Sequence, residues 1–469
     1  MKIAFCSSEV FPFAKTGGLA DVCGALPLAL EKLGTEIIVF LPHYQFIDTR
    51  EFQIQRVHEG VSKTSFGKNI TVYLIENEKY FYRDGLYGDR KGDYADNLDR
   101  FQYFSLHALE LLKEFNEKID IVHCHDWQTA LIPVYLKEKY KDDPFFAKTK
   151  SLLTLHNLAF QGVFPKDEYL KIGLSERLFS EKGFEFFGKI NLLKAGIIFS
   201  DAINTVSPQY AKEILTKEFG CGLEGVIKSR KDQVTGILNG LDYDIWNPKT
   251  DIFVEKKYSS DNFSERKAKN KTFLQKKVGL PMSPEVPIFG FVGRLSYQKG
   301  IDLVLEAINE LLALDLQIVI QGTGNGYHAQ LEDLTEQNPK QFAVCLEFDE
   351  RTAHQIYAGA DMFLMPSVYE PCGLSQMISL CYGTIPVVYK TGGLADTVKN
   401  FDHPDKLGNG FVFDKYTKKD FIETIKTAVK VYHQKKQFGQ LVNNGFAADF
   451  SWEKSAGEYK KIYQCLLSG

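Results

Sequence analysis

No two of the eight cysteines, at positions 6, 23, 124, 221, 345, 372, 381 and 465, are spaced as C-x-x-C. This excludes a zinc ribbon and a dithiol redox motif. Several lie in apolar runs such as Lys2–Cys6, where a reduced thiol serves as a small buried hydrophobe. No run approaches the ~18 apolar residues that a membrane-spanning helix needs. The opening MKIAFCSSEV enters a strand-like run at once, and its apolar stretch is too short for a secretion signal. The expectation is a soluble, cytoplasmic protein with no membrane partner. A basic excess is also missing: 56 Lys plus Arg face 60 Asp plus Glu, for a net charge of −4. Nucleic-acid binders carry a cationic surplus to displace counterions, so nucleic acid is not expected as a partner. A small anion needs only a few local cations and stays open. With 25% charged and 44% hydrophobic residues the chain is neither disordered nor fibrous.

What is present is an alternation. Short apolar runs at Ile3–Cys6, Glu36–Leu41, Ile119–His125, Ser151–His156 and Ala202–Val206 are followed, in the second half, by Val286–Val292, Leu316–Gln321, Phe342–Phe348, Asp361–Met365 and Thr384–Tyr389. Longer amphipathic stretches separate them. Strands alternating with helices mean parallel sheets, and ten strands are too many for one ordinary open sheet. The expected fold class is α/β with two doubly wound, Rossmann-like domains. Turn residues crowd both ends of the segment from Asn239 to Val286, which marks the boundary. Within it, Glu265–Lys277 reads as a helix whose lysines form a solvated face. The segment Ser451–Leu467 reads as a helix with Ser451 as its cap.

Ligands in open α/β sheets bind beyond the carboxyl ends of the strands. After the first run come Lys15, Thr16, Gly17 and Gly18, then a helix-like stretch that Pro27 should kink or delay. Two glycines permit close approach, a helix start offers N–H groups, and Lys15 adds charge, a combination suited to phosphate or sugar. A tight strand–helix turn needs the same residues. The octapeptide KTGGLADV at Lys15–Val22 recurs as KTGGLADT at Lys390–Thr397, as if each half presented a Gly-Gly turn to a ligand. His123 and His125 are expected on opposite faces at a strand end, and no third ligand follows at ordinary spacing, so a metal site is disfavoured. Asp126, Trp127 and His156 read as a hydrogen-bonding and stacking set for a sugar, with His123 as a buried structural histidine. In the second half Arg294 and Lys299 suit a diphosphate. Glu370 and the turn through Cys372, Gly373, Leu374 and Ser375 offer a carboxylate and backbone N–H groups. A phosphorylated sugar donor fits this distribution.

KTGGLADV, HCHDWQTAL, TLHNLAFQG, VTGILNGLD, VGRLSYQKG, PSVYEPCGLSQ and KTGGLADT, in that order from Lys15 to Thr397, closely resemble the motifs of bacterial glycogen synthases and plant starch synthases. The resemblance implies the GT-B fold, with two Rossmann-like domains facing across a deep cleft. It implies a boundary scheme of 1–245 (acceptor side), 246–450 (nucleotide-sugar side) and 451–469, a helix crossing back to the first domain. The implied reaction transfers glucose from ADP-glucose to the non-reducing end of an α-1,4-glucan such as glycogen, with retention and release of ADP. Lys15, Gly17 and Gly18 are then expected beside the donor, and His156 on the transferred glucose. Arg294 and Lys299 are expected on the diphosphate, and Glu370 as the essential acidic residue. The turn Cys372–Ser375 is expected on sugar hydroxyls and phosphate, Asp126 and Asn239 near glucose or acceptor, and Phe348 near adenine. Position 378 is isoleucine where many retaining relatives carry a second glutamate, which disfavours a mechanism needing two carboxylates there. Same-face attack is the preferred route to retention, since no nucleophile–base pair is visible. No metal or cofactor is called for, and closure of the domains over the donor is expected. The alternatives are a non-catalytic glucan-binding relative or a retaining transferase using another nucleotide-sugar. Nothing in the sequence sets an oligomeric state.

Overall fold

Apolar runs flanked by turn residues become strands where both faces of a sheet are covered, and here they build two sheets. The computed structural model describes residues 1–324, 326–347, 349–402 and 407–468. Two compact units emerge: Met1–Gly240 together with the chain from Trp452 onward, and Leu241–Ser451. Among the described residues no helix is long and apolar enough to cross a membrane.

In the first unit the strands of the main sheet are β1 (Lys2–Cys6), β2 (Glu36–Pro42), β3 (Gln55–His58), β4 (Val61–Phe66), β5 (Ile70–Ile75), β6 (Ile121–His125), β7 (Lys150–Leu155), β8 (Ala202–Thr205) and β9 (Val234–Gly236). They lie in the order β9-β8-β7-β6-β1-β2-β5-β4-β3. The sheet is parallel from β9 to β5 and turns antiparallel only at β4 and β3. The second unit holds β10 (Ile288–Val292), β11 (Gln317–Gln321), β12 (Phe342–Cys345), β13 (Met362–Met365), β14 (Ile385–Tyr389) and β15 (Phe411–Phe413). Their order, β12-β11-β10-β13-β14-β15, is parallel throughout. Each unit is thus a doubly wound Rossmann-like sheet, and each has a switch point beside its first strand. All ten runs read from the sequence lie in these strands. In these two sheets the five missed are β3, β4 and β5, which extend one edge, and the three-residue β9 and β15.

Helix α1 (Gly18–Lys32) carries Pro27 in its interior and starts at once after the Thr-Gly-Gly turn, so Pro27 does not delay it. The lysine-rich helix α2 (Phe263–Lys277) corrects a second expectation, because its lysines are not all solvated. Lys267 and Lys271 are buried. The Lys267 ammonium donates to the carbonyls of Tyr357, Ala358 and Tyr382 and to Thr384 Oγ1 at 2.6–3.2 Å. Lys271 Nζ meets Asp361 Oδ2 at 2.8 Å, and also donates to Pro284 O and Tyr432 Oη. Polar heads on apolar stems thereby tie α2 to the neighbouring helices and to the turns that lead into β13 and β14, since a buried charge is tolerated only when paired and hydrogen-bonded.

Helix α3 (Trp452–Ser468) returns to the first unit. Tyr459 and Tyr463 are fully buried in that unit, with Asn204 Nδ2 bonded to Tyr459 Oη at 3.0 Å and Tyr463 Oη 2.8 Å from His123 Nδ1. Ser455 Oγ donates to Leu238 O and Lys460 Nζ to Leu33 O, both at 2.7 Å.

Burial pushes the Lys267 amine down to about 7; Asp361 pulls it up and Lys271 pushes it down again. In the unfolded chain the group keeps its ordinary value of 10.5. Unfolding therefore takes up a proton between these values, and folding is favoured increasingly as pH rises through that window. Replacing Lys267 with Met should flatten the rise in urea-measured stability between about pH 7 and about pH 10. An unchanged slope would show that Lys267 titrates normally.

Candidate functional site

Beyond β1 the chain must turn into α1, and a residue the sequence reading passed over organises that turn. Glu9 is buried, 3% exposed. Its carboxylate accepts hydrogen bonds from Thr16 N (2.5 Å), Gly17 N (3.2 Å), Thr16 Oγ1 (2.7 Å) and Tyr87 Oη (2.6 Å). Four donors offset the cost of burying the charge. They also fix the loop that carries Lys15, which is half-exposed and pairs with Asp21 Oδ1 at 2.6 Å. A Cβ built on Gly17 or Gly18 would meet nothing within 4 Å, so the turn borders open space.

At the ends of β6 and β7 the histidines correct the expected geometry. Side chains alternate along a strand with period two, so residues 123 and 125 share a face. Their ring centroids are 4.2 Å apart. His123 is structural, held between Thr154 Oγ1 (2.6 Å) and Tyr463 Oη (2.8 Å). His125 Nδ1 lies 3.0 Å from His156 Nε2. Among the described residues no His, Cys, Asp and Glu group is arranged to hold a metal ion. Asp126 takes a φ of +55°, an uncommon conformation for a residue with a Cβ. It is held there by its Oδ1, which accepts from His156 N at 2.7 Å, and by its own N–H, which donates to Thr154 O at 2.9 Å. Burial raises the Asp126 carboxyl to about 7, against the backbone donors of His156 and Asn157, with Glu9 adding repulsion. Burial also lowers His156 to about 3, so its imidazole is neutral at pH 7. Trp127 is not a stacking platform: it is buried edge-on against Phe101 at 5.0 Å. Asn239 is buried, and its Oδ1 has no hydrogen-bond partner among the described residues.

In the second unit Lys299 and Glu370 form one ion pair, Nζ to Oε2 at 2.6 Å, with the Glu370 side chain 8% exposed. Ser367 Oγ donates to the same oxygen at 3.0 Å. Gly300 makes the approach possible. Its φ is +73°, and a Cβ there would lie 2.0 Å from Pro366 O. Arg294 is exposed, and its contact with Gln298 Oε1 at 3.4 Å is long. No acidic group neutralises it among the described residues. Cys372 is buried, and Gly373 turns at φ +73° into the helix Ser375–Cys381. Leu374 precedes that helix, and Gln376 Nε2 bridges the carbonyls of Cys372 and Gly373, both at 3.0 Å. Ser375 opens the helix and lies near buried Tyr357. Ile378 is buried. Phe348 lies outside the described residues.

The two Lys-Thr-Gly-Gly motifs do different work, contrary to the expectation that each presents its glycines to a ligand. Gly392 and Gly393 are buried against the Glu370–Cys372 turn. A Cβ on Gly392 would sit 2.1 Å from Glu370 O, and one on Gly393 would sit 2.0 Å from Cys372 O. Gly393 N donates to Glu370 O at 3.1 Å. The first motif leaves room; the second braces the backbone of the acidic residue.

In the first unit Glu9, Asp126, His125 and His156 are thus gathered, and in the second Lys299 and Glu370 are paired, with Arg294 five residues before Lys299. Residues 2–229 match the family model described as the starch synthase catalytic domain, and residues 272–443 the model for glycosyl transferases group 1. A glycogen synthase of Geotalea daltonii is 45% identical over 483 residues, covering all of this chain and 99% of that protein. One from Bacillus cereus is 42% identical over 481 residues, covering both chains fully. Among solved structures, the catalytic domain of starch synthase IV from Arabidopsis thaliana, bound to ADP and acarbose, has a TM-score of 0.89 at 33% identity. That match covers 100% of this chain and 99% of the other. A sucrose-phosphate synthase from Thermosynechococcus elongatus shares the fold, with a TM-score of 0.62 at 17% identity over 100% of this chain and 99% of the other.

Gly393→Ala should unfold at lower temperature than the parent, because the added methyl meets backbone. Gly17→Ala should melt with the parent, having open space and an extended φ of −162°. Thermal denaturation of the two variants side by side checks this contrast, and equal losses would refute it.

Proposed function

The chain belongs to the family of bacterial glycogen synthases and starch synthases, and from that premise we propose that it is a retaining glucosyltransferase. It transfers glucose from ADP-glucose to the non-reducing end of an α-1,4-glucan and releases ADP. The observation that carries this reading is the Lys299–Glu370 pair at 2.6 Å, with Arg294 on the turn that leads from β10 to Lys299. A binding module needs no such charge group. Breaking a glycosyl–phosphate bond leaves negative charge on the departing diphosphate, and fixed cations act best against charge that grows during reaction. Arg294, without an ion-pair partner among the described residues, provides the fork for that diphosphate, and Lys299, paired with Glu370, adds a second cation. Glu370 is assigned to the transferred sugar, whose oxocarbenium-like state gains from a nearby carboxylate. Its backbone is braced by Gly393 N at 3.1 Å.

On the first unit, Lys15 with Gly17 and Gly18 is assigned to the donor, His156 to the transferred glucose, and Asp126 and Asn239 to glucose or acceptor. The unpartnered Oδ1 of Asn239 supports its part. On the second, the turn Cys372–Ser375 contributes backbone N–H groups. The choice of ADP is supported by the ADP found in the starch synthase relative. We place the reaction in the cytoplasm.

Incorporation of labelled glucose into glycogen, measured with ADP-glucose and with UDP-glucose, tests the proposal. ADP-glucose should be the better donor. Glu370→Ala should abolish transfer while glucan binding and the melting temperature persist. Arg294→Ala should lower kcat by roughly 10²–10³-fold, the cost of losing one oriented charge-stabilising donor. Transfer from neither nucleotide-sugar, or full turnover in Glu370→Ala, would overturn the assignment.

A further inference from the structure

We propose that His125 is a positioning residue that fixes the tautomer of His156, so that His156 carries its hydrogen on Nδ1. The inference rests on the reading of His156 as a substrate-facing group, and it adds a residue to which no role was assigned.

The two rings face each other through His125 Nδ1 and His156 Nε2 at 3.0 Å. Both imidazoles are neutral, since burial depresses both below the ordinary histidine range. A neutral imidazole has one N–H and one bare nitrogen, so one of the two facing atoms donates and the other accepts. Two arrangements satisfy this. If His156 Nε2–H donates, His125 must carry its own hydrogen on Nε2. That atom is buried and has no hydrogen-bond partner among the described residues, and its ring lies against Phe5, with centroids 5.3 Å apart, and beside His123. His123 offers it no acceptor, because both His123 nitrogens are engaged by Thr154 and Tyr463. A buried N–H without an acceptor is among the rarest defects in folded proteins.

In the other arrangement His125 Nδ1–H donates to His156 Nε2, and only a bare lone pair is left unmet. His156 then bears its hydrogen on Nδ1. That nitrogen makes no hydrogen bond among the described residues, which leaves it as a donor for a sugar oxygen. The backbone holds this geometry from both ends. Asp126 Oδ1 anchors His156 N at 2.7 Å. Thr129 Oγ1 anchors His125 from both sides, accepting from its N–H at 2.6 Å and donating to its carbonyl at 2.9 Å.

Long-range ¹H–¹⁵N correlation on the full chain with ¹⁵N-labelled histidine reads each ring directly, with His125→Phe and His156→Gln used for assignment. His125 and His156 should both show the Nδ1–H pattern in the parent, and His156 should shift toward the commoner Nε2–H pattern in His125→Phe. In glucosyl transfer, His125→Phe should lose roughly tenfold or more in kcat, as when other histidine-orienting partners are removed, with the donor KM within about twofold. His125→Asn, whose amide N–H can stand in for Nδ1–H, should recover most of that loss. An Nε2–H pattern on His156 in the parent, undiminished kcat in His125→Phe, or equal losses in the Phe and Asn variants would overturn the proposal. The spectra need no activity, so they decide the tautomer even if the chain proves to transfer no glucose.

Discussion

A charge moved out of water has to be met at once by partners, and that constraint shapes both units more than any single hydrophobic contact. Glu9 is buried and met by four donors. Glu370 is met by Lys299 and Ser367. Lys267 is met by three carbonyls and a hydroxyl, and Lys271 by Asp361. Glu370 differs from the others: its two partners are few enough that a ligand's hydroxyl can join them, whereas Glu9 and the lysines of α2 are more fully satisfied. Structural and reactive charges are told apart here by how completely the protein itself satisfies them.

The parallel sheets were legible because strands buried on both faces read as continuous apolar runs. Of the strands that escaped notice, Ile70–Ile75 carries a signal as strong as any, whereas two others are weak. Gln55–His58 is exposed along its whole length, and Phe411–Phe413 is three residues long. The lysines of α2 misled because a charged helix is ordinarily solvated, and nothing local shows which stems turn inward. Glu9 was invisible for a different reason. Its partner Tyr87 is 78 residues away, and no spacing rule connects them. Trp127 offered an aromatic ring beside an aspartate, and only the packing against Phe101 reveals that the ring is core. The pairing of His125 with His156 has no local signature, because the two lie 31 residues apart at the ends of neighbouring strands.

The repeated octapeptide carries the sharpest lesson about motifs. Identical letters at Lys15–Val22 and Lys390–Thr397 predict the same local turn, and both do lead into a helix. Yet the surroundings of the two glycine pairs are opposite: empty space in one, and carbonyl oxygens about 2 Å from a notional Cβ in the other. A glycine pair states that something comes close. Whether that is a ligand or the protein's own backbone is decided by the fold.

The return of the helix from Trp452 to the first unit has a consequence for how the molecule is made. A ribosome delivers residues in order, but the first unit is not contiguous in that order. Its sheet emerges early and must wait, with the cavity for Tyr459 and Tyr463 unfilled and His123 lacking one of its partners, while more than two hundred further residues are added. The second unit, Leu241–Ser451, is a single uninterrupted stretch and has all of its parts before translation reaches Trp452. The later-encoded unit is therefore the first able to finish folding, and the one begun first is closed last.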